Sequence, residues 1–196
     1  MGQFSLALTD AALAAVILLP LFYLLEKRCF HSKTRAVWYF FLAVYLAGVY
    51  GVTGLPDILY IRPHFNVNLK PFAYLFSYYR EGLLNILLLI PLGCFLTMLW
   101  KPFRNGFFTI LFGFCLSLAV ELLQLLTYRA TDVNDLMTNT LGAFLGWILG
   151  RIFLKCFPKI PSEGKTAHVF VVLGASWGVM FFLQPFLARL IGILFI

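Results

Sequence analysis

The sequence predicts an all-α membrane protein, a polytopic bundle of about six transmembrane helices. Of its 196 residues, 62% are hydrophobic and only 12% are charged, whereas soluble domains carry about 25% charged residues. The mean hydropathy is +0.91, and several apolar windows reach the roughly 20 residues needed to cross the hydrocarbon core. Because lipid offers the backbone no hydrogen-bond partners and no alternating barrel pattern is visible, helices are favoured over strands.

The apolar windows divide the chain into six predicted spans, which we treat as one membrane domain over residues 1–196. The first window contains Asp10 and has no basic stretch before it, so we expect a retained helix rather than a cleaved signal. If the last window were re-entrant, five spans would remain. The six windows are Leu6–Leu25, Ala36–Leu55, Leu83–Trp100, Phe107–Thr127, Val133–Leu154 and Ala167–Leu187.

The basic residues are distributed unevenly between the connecting loops. Ten of the 15 lysines and arginines follow spans one, three and five, and the other five lie in the remaining segments. The positive-inside rule places the first set in the cytoplasm and therefore predicts an outside N-terminus. We expect a multi-pass protein of the cell membrane. The net charge of +7 then reflects topology, with attraction to lipid headgroups as a secondary effect, and no nucleic-acid partner is predicted.

Polar residues lie inside the apolar spans, where a carboxylate at a helix centre costs about 2.5–3.5 kcal/mol. Span four carries Glu121 and Gln124 in its outer half and small residues in its inner half. Such a group needs partners or water, so an intramembrane acid is a candidate for function. The shared face of span four, read outward, is Gly113, Ser117, Glu121, Gln124 and Tyr128.

Span five repeats this pattern in the opposite direction. Asp132 and Asp135 precede the apolar run, and Asn139 follows them on roughly the same face as a stripe of glycines. Small residues let helices approach closely, so we expect spans four and five to pack together. Asp132 is equally well explained as a helix N-cap, with Asp135 as an acid favoured in the first turn. The packing stripe is Gly142, Gly146 and Gly150.

Three further features would complete a polar region near the outer face. Arg129 is the basic residue nearest these acids, and we expect it to pair with Asp132 or Asp135, or to bind an external phosphate or carboxylate. Asn85 lies one turn after Glu81 in span three, where amides often link helices. An aromatic segment before span three would form a short surface helix or a dipping loop, as a membrane anchor or as the rim of a binding site. Its rings are Phe65, Phe72, Tyr74, Phe76, Tyr78 and Tyr79.

These motifs, as an ordered set over about residues 66–150, resemble the VanZ family of bacterial membrane proteins. The resemblance implies an envelope protein that lowers the binding of the lipoglycopeptide teicoplanin at the cell surface. The segments that carry it are NLKPF (Asn68–Phe72), LLNILLLIPLG (Leu83–Gly93), SLAVELLQ (Ser117–Gln124) and RATDVNDLMTNTLGAFLG (Arg129–Gly146). The positions matched to the family pattern are Asn85, Glu121, Gln124, Arg129, Asp132, Asp135, Asn139 and Gly142.

We therefore favour a non-enzymatic envelope protein whose outward polar pocket binds a lipid headgroup, a lipid-linked wall precursor or an amphiphilic glycopeptide. One alternative is an intramembrane enzyme acting on a lipid or lipid-linked substrate, with Glu121 or Asp135 as general base. In that case Asp132, Asp135 and Glu121 would suit Mg²⁺ or Ca²⁺; otherwise we predict no metal or cofactor. Another is a small transporter or scramblase, enlarged by a homo-oligomer formed through the glycine stripe. A fourth is that the polar groups only lock helices together.

Overall fold

The computed structural model describes residues 3–72, 79–157 and 164–194. In this part of the chain, six helices are long and apolar enough to cross a membrane. The predicted all-α polytopic fold is therefore confirmed. The contacts divide the chain into two compact units, one formed by Met1–Arg62 with Thr166–Ile196 and the other by Pro63–Lys165.

The first unit combines helices from both ends of the chain. Two turns of π-helix, at Glu26–Phe30 and Val179–Leu183, continue neighbouring α-helices without a break. Ala167–Leu190 is a run of 24 residues with the length and hydropathy of a span, in agreement with six rather than five spans. The α-helices of this unit are α1 (Gln3–Leu25), α2 (Lys33–Thr53), α6 (Ala167–Gly178) and α7 (Gln184–Leu194).

Polar groups in the first unit link its helices in pairs. The Gln184 amide on α7 donates a hydrogen bond to the Asp10 carboxylate on α1, at 2.6 Å. The Ser176 hydroxyl on α6 donates to the Ala43 carbonyl on α2, at 2.7 Å. In an apolar surrounding, an interhelical bond is the usual way for such groups to be satisfied.

The second unit holds the remaining three spans and two very short strands. A 3₁₀ turn, Lys101–Arg104, connects the first two helices, and the Asn105 side chain caps the second by accepting from the Phe107 backbone N–H at 3.1 Å. The elements are β1 (Val67–Asn68), α3 (Tyr79–Leu99), α4 (Gly106–Gln124), β2 (Thr131–Asp132) and α5 (Val133–Cys156).

The glycine stripe of α5 packs against α3, not against α4 as we expected. A Cβ at Gly142 would meet the Ile86 carbonyl, and one at Gly146 would meet the Ile90 carbonyl. A Cβ at Gly150 would lie 2.7 Å from the Thr97 Cβ. Both partners of this close contact run in the same direction, since higher numbers on α5 match higher numbers on α3. The stripe is therefore occupied within one chain and is not a surface for a homo-oligomer; oligomerisation itself stays a prediction.

Helix α4 contacts α5 through a different set of residues, and the two run antiparallel. A Cβ at Gly113 would meet the Ala143 side chain, and Ser117 contacts Asn139 one turn closer to the start of α5. The N-termini of α3 and α5 therefore share one end of the unit with the C-terminus of α4, and we call this the polar end. The opposite end, which carries Lys101, Arg104, Arg151 and Lys155, is called the basic end.

Candidate functional site

A short parallel strand pair anchors the loop before α3 to the start of α5. In the register, Val67 lies opposite Thr131 and Asn68 opposite Asp132. The Thr131 backbone N–H donates to the Asn66 carbonyl at 2.9 Å. The Asn68 side-chain amide donates to Oδ2 of Asp132, also at 2.9 Å. Strands of two residues are too short to show an alternating pattern, so this pairing was not predicted.

Asp132 is the N-cap of α5. Its Oδ1 accepts from the Asn134 backbone N–H and from the Asn134 side-chain amide, each at 2.8 Å. With Asn68 on Oδ2, both carboxylate oxygens have protein donors. The capping role is thus what the structure shows for Asp132, and a direct role in binding stays a prediction.

Asn134 also binds the loop before α3, at two residues that follow the strand β1. Its Oδ1 accepts from the Phe72 backbone N–H at 2.7 Å, and its amide donates to the Lys70 carbonyl at 3.3 Å. Phe72 adopts a left-handed conformation with φ 60°, which is uncommon for a bulky residue and requires support from its surroundings. Asn68 and Asn134 are the site residues that our sequence reasoning missed, although NLKPF is part of the family pattern.

Glu121 points into the second unit and not toward lipid. Its side chain is 4% exposed, and Oε2 accepts from the Asp132 backbone N–H at 2.9 Å. The Glu121 carbonyl also accepts from the Thr131 hydroxyl at 2.8 Å. One buried carboxylate therefore fixes the end of α4 to the start of α5, which explains why an acid is tolerated at this depth.

Asn139 contacts α4 one turn deeper than Glu121. Its amide Nδ2 donates to the Ser117 hydroxyl at 3.0 Å, and both side chains are buried. The carbonyl oxygen of Asn139 is buried too, and no donor to it is found among the described residues. Gln124 is also buried and lies at the end of α4. Span four thus meets span five through Ser117 and Asn139 as well as through Gly113 and Ala143.

Asp135 connects the cluster to α3. The Asn85 amide donates a hydrogen bond to its carboxylate, and Glu81, Asp132 and Arg129 lie within electrostatic range of it. Arg129 also lies within electrostatic range of Glu121. Predicted polar residues from three separate stretches of sequence are therefore brought together at the polar end.

The cluster is graded in exposure and contains more acids than bases. Glu121 is buried, Asp132, Asp135 and Arg129 are half-buried, and Glu81 is exposed. The Arg129 guanidinium lies within electrostatic range of two of these acids, Glu121 and Asp135. Among the described residues, no group of three or more His, Cys, Asp and Glu is arranged to hold a metal ion, so the cation considered for the enzymatic alternative has no ready-made ligand set. The surplus of acceptor oxygens suits a ligand that brings hydrogen-bond donors.

The aromatic rim is described only in part. Phe65, Phe72 and Tyr79 are 81%, 65% and 58% exposed, while Tyr74, Phe76 and Tyr78 lie outside the described residues. The loop up to Phe72 is extended chain with one strand and a turn, so the surface helix considered for this segment is wrong for residues 66–72.

Six apolar helices and a polar cluster at one end of the second unit define a multi-pass membrane protein. A family model described as VanZ/LLP1 matches residues 11–154, and the chain belongs to this bacterial membrane protein family. It is similar to Protein VanZ of Enterococcus faecium, with 37% identity over 83 residues, which are 41% of this chain and 50% of the relative. The chain thus spans about half the length of the curated relative it matches. No solved structure matches.

Proposed function

We infer that the polar end of the second unit binds the polar head of an amphiphilic envelope molecule. Three chemical classes fit: a lipid headgroup, a lipid-linked wall precursor, and an amphiphilic glycopeptide of the teicoplanin type. The observation that carries this proposal is the grouping of Glu121, Asp132 and Asp135 at the polar end, with Arg129 within electrostatic range of Glu121 and Asp135. A cluster that served only to join helices would not require such an excess of one charge.

The accessible part of the cluster defines what the ligand must offer. Glu81 and Asp135 present carboxylate oxygens near the surface, which suit amino groups and sugar hydroxyls. Arg129 suits a carboxylate or phosphate on the same molecule. Beside the cluster, the helices expose apolar residues such as Leu84 on α3 and Leu141 on α5, which are 63% and 45% exposed. These would accompany the acyl chain of an amphiphile.

Family membership supports the proposed class of ligand. The relative named above is Protein VanZ, and the sequence resemblance links this family to teicoplanin. An outward orientation of the polar end, as the positive-inside rule predicts, would place the cluster where glycopeptides and wall precursors meet the membrane. We propose binding, and not chemistry, because one oxygen of Glu121 is already bonded to the backbone of α5.

The experiment is a binding titration with the full chain in phosphatidylcholine nanodiscs. Teicoplanin, a lipid-linked wall precursor and phosphatidylethanolamine are titrated separately, with phosphatidylcholine as the reference. We expect saturable binding of at least one of the three. Asp135→Asn should weaken it about tenfold or more, because a hydrogen bond to a charged group contributes about 1.5–3 kcal/mol.

The matched control is Glu26→Gln, which removes one carboxylate from the first unit and leaves the cluster intact. Binding by this variant should equal that of the wild type. Absence of saturable binding for all three compounds, or equal binding by Asp135→Asn and wild type, would reject the proposal. The intramembrane enzyme with Glu121 or Asp135 as base, and the transporter, stay predictions without a structural observation in their favour.

A further inference from the structure

A cleft lined by cations lies at the basic end of the second unit. Its volume is about 270 Å³, and the lining consists of Arg104, Arg151, Leu154 and Lys155. Arg104 ends the 3₁₀ turn before α4, and the other three residues belong to the last turns of α5. The cleft therefore collects three positive charges and one apolar side chain, with no carboxylate in its described lining.

The two sides of the cleft are held together by a tryptophan. Trp147 Nε1 donates to the Arg104 carbonyl at 3.0 Å, and a Cβ at Gly106 would lie 3.1 Å from the Trp147 ring. Trp147, Arg151 and Lys155 follow one another at intervals of four residues, so they share a face of α5. The cations therefore remain close to one another although they repel.

The Arg104 guanidinium gives an independent indication of a ligand. Its Nε is buried, and no acceptor for it is found in the described part of the chain. A buried donor without an acceptor costs about 1–3 kcal/mol, and more when it is charged. Attraction to the C-terminal dipole of α5 explains Arg151 and Lys155, but it does not explain Arg104, which belongs to another element.

We propose that this cleft binds the phosphate group of an anionic ligand, and that the ligand is an anionic phospholipid of the membrane. Arginine fits phosphate with two parallel hydrogen bonds, and lysine adds a point charge. Leu154 and the exposed Ile152 on the same helix would contact the acyl chains. The basic end is the one that the positive-inside rule places in the cytoplasm, where anionic lipids give the leaflet a negative potential. This site is separate from the polar end and does not depend on its function.

The test is native mass spectrometry of the full chain in a neutral detergent. Phosphatidylglycerol and phosphatidylcholine with identical acyl chains are titrated, and inorganic phosphate is added as a competitor. The wild type should prefer phosphatidylglycerol by about tenfold or more, because each cation near a lipid surface contributes about a fivefold increase in affinity. Arg104→Gln should lower the affinity for phosphatidylglycerol about fivefold and leave phosphatidylcholine unchanged.

Two variants keep the test decisive. Arg151→Gln alters an exposed residue, so it retains the fold even if Arg104→Gln does not, and it should also lose about fivefold. Arg28→Gln removes an exposed cation from the first unit and should change nothing. Equal affinity for the two lipids, or equal losses for Arg28→Gln and Arg151→Gln, would overturn the site. Tight binding of inorganic phosphate without a preference for phosphatidylglycerol would overturn the phospholipid as its source.

Discussion

Buried polar groups are arranged differently in the two units. In the first unit, Asp10 and Gln184 form one pair, with an amide donor on one helix and a carboxylate acceptor on another. In the second unit, Glu121 and Asp135 lie within electrostatic range of each other, of Asp132 and of Arg129. Both arrangements connect helices, but the second groups three acids, Glu121, Asp132 and Asp135, together with an arginine.

We interpret this difference as one between polar groups that only join helices and polar groups that bind a ligand. Interhelical hydrogen bonds in membranes contribute on average about 0.6 kcal/mol, which a single amide–carboxylate pair can supply. Like charges within electrostatic range of one another oppose folding, as Asp132 and Glu81 do for Asp135. Strained or repulsive arrangements that persist in a fold are typical of sites that bind or react. Substitutions in each arrangement test this contrast.

The largest expected effect is at the contact of α3 with α5. Gly146→Ala would place a methyl group against the Ile90 carbonyl, which is backbone and cannot move aside. We expect a loss of about 1–3 kcal/mol in the free energy of unfolding, as for other overpacked contacts. Denaturation in mixed detergent micelles measures it. Gly174→Ala is the control, since nothing lies within 4 Å of that Cβ; a similar loss there would contradict the account of the stripe.

A smaller effect is expected at the cap of α5. Asp132→Ala removes the acceptor for Asn134 and for Asn68, and we expect a cost of about 1 kcal/mol. Hydrogen exchange at residues 66–72 should increase, because the loop loses its anchor. Asp132→Asn retains an acceptor and should restore most of the protection. Unchanged exchange in the alanine variant would show that the strand pair holds the loop unaided.

The smallest effect is expected for the hydrogen bond between Ser117 and Asn139, which lies one helical turn from Glu121. Ser117→Ala removes the acceptor of the Asn139 amide and should cost about 0.6 kcal/mol. Ser176→Ala removes the corresponding hydroxyl in the first unit and should cost about the same. Ligand binding should be unaffected by either change. A large loss of binding in Ser117→Ala alone would extend the site one turn deeper than we place it.

Hydropathy and helical spacing predicted the spans well because burial in lipid imposes a simple length and composition. The predicted start of span five at Val133 is the observed start of α5, and span two begins three residues early, at Lys33. The partner of the glycine stripe was wrong because a stripe shows that a helix is approached closely but not by which neighbour. Asn68 and Asn134 were missed because their bonds cross more than sixty residues of sequence.

The sequence supports only indirect predictions of how the chain is oriented in the membrane and of which ligand the polar end binds. Charge counts predict which end faces the cytoplasm, and a cluster of acids indicates the polarity of a partner without specifying its structure. The family model over residues 11–154 establishes the family, but the identity of the bound molecule has to come from binding experiments.

We propose that the acids of the second unit bind a ligand and that Asp10 stabilises the fold. The decisive measurement compares Asp135→Asn with Asp10→Asn for both unfolding free energy and binding in the nanodisc titration. Each asparagine keeps an acceptor oxygen and removes one charge. We predict that Asp135→Asn binds at least about tenfold more weakly while its unfolding free energy is no lower than that of the wild type. Asp10→Asn should bind normally and be less stable. If instead Asp135→Asn loses stability and binds as the wild type does, the cluster is structural and the account is contradicted.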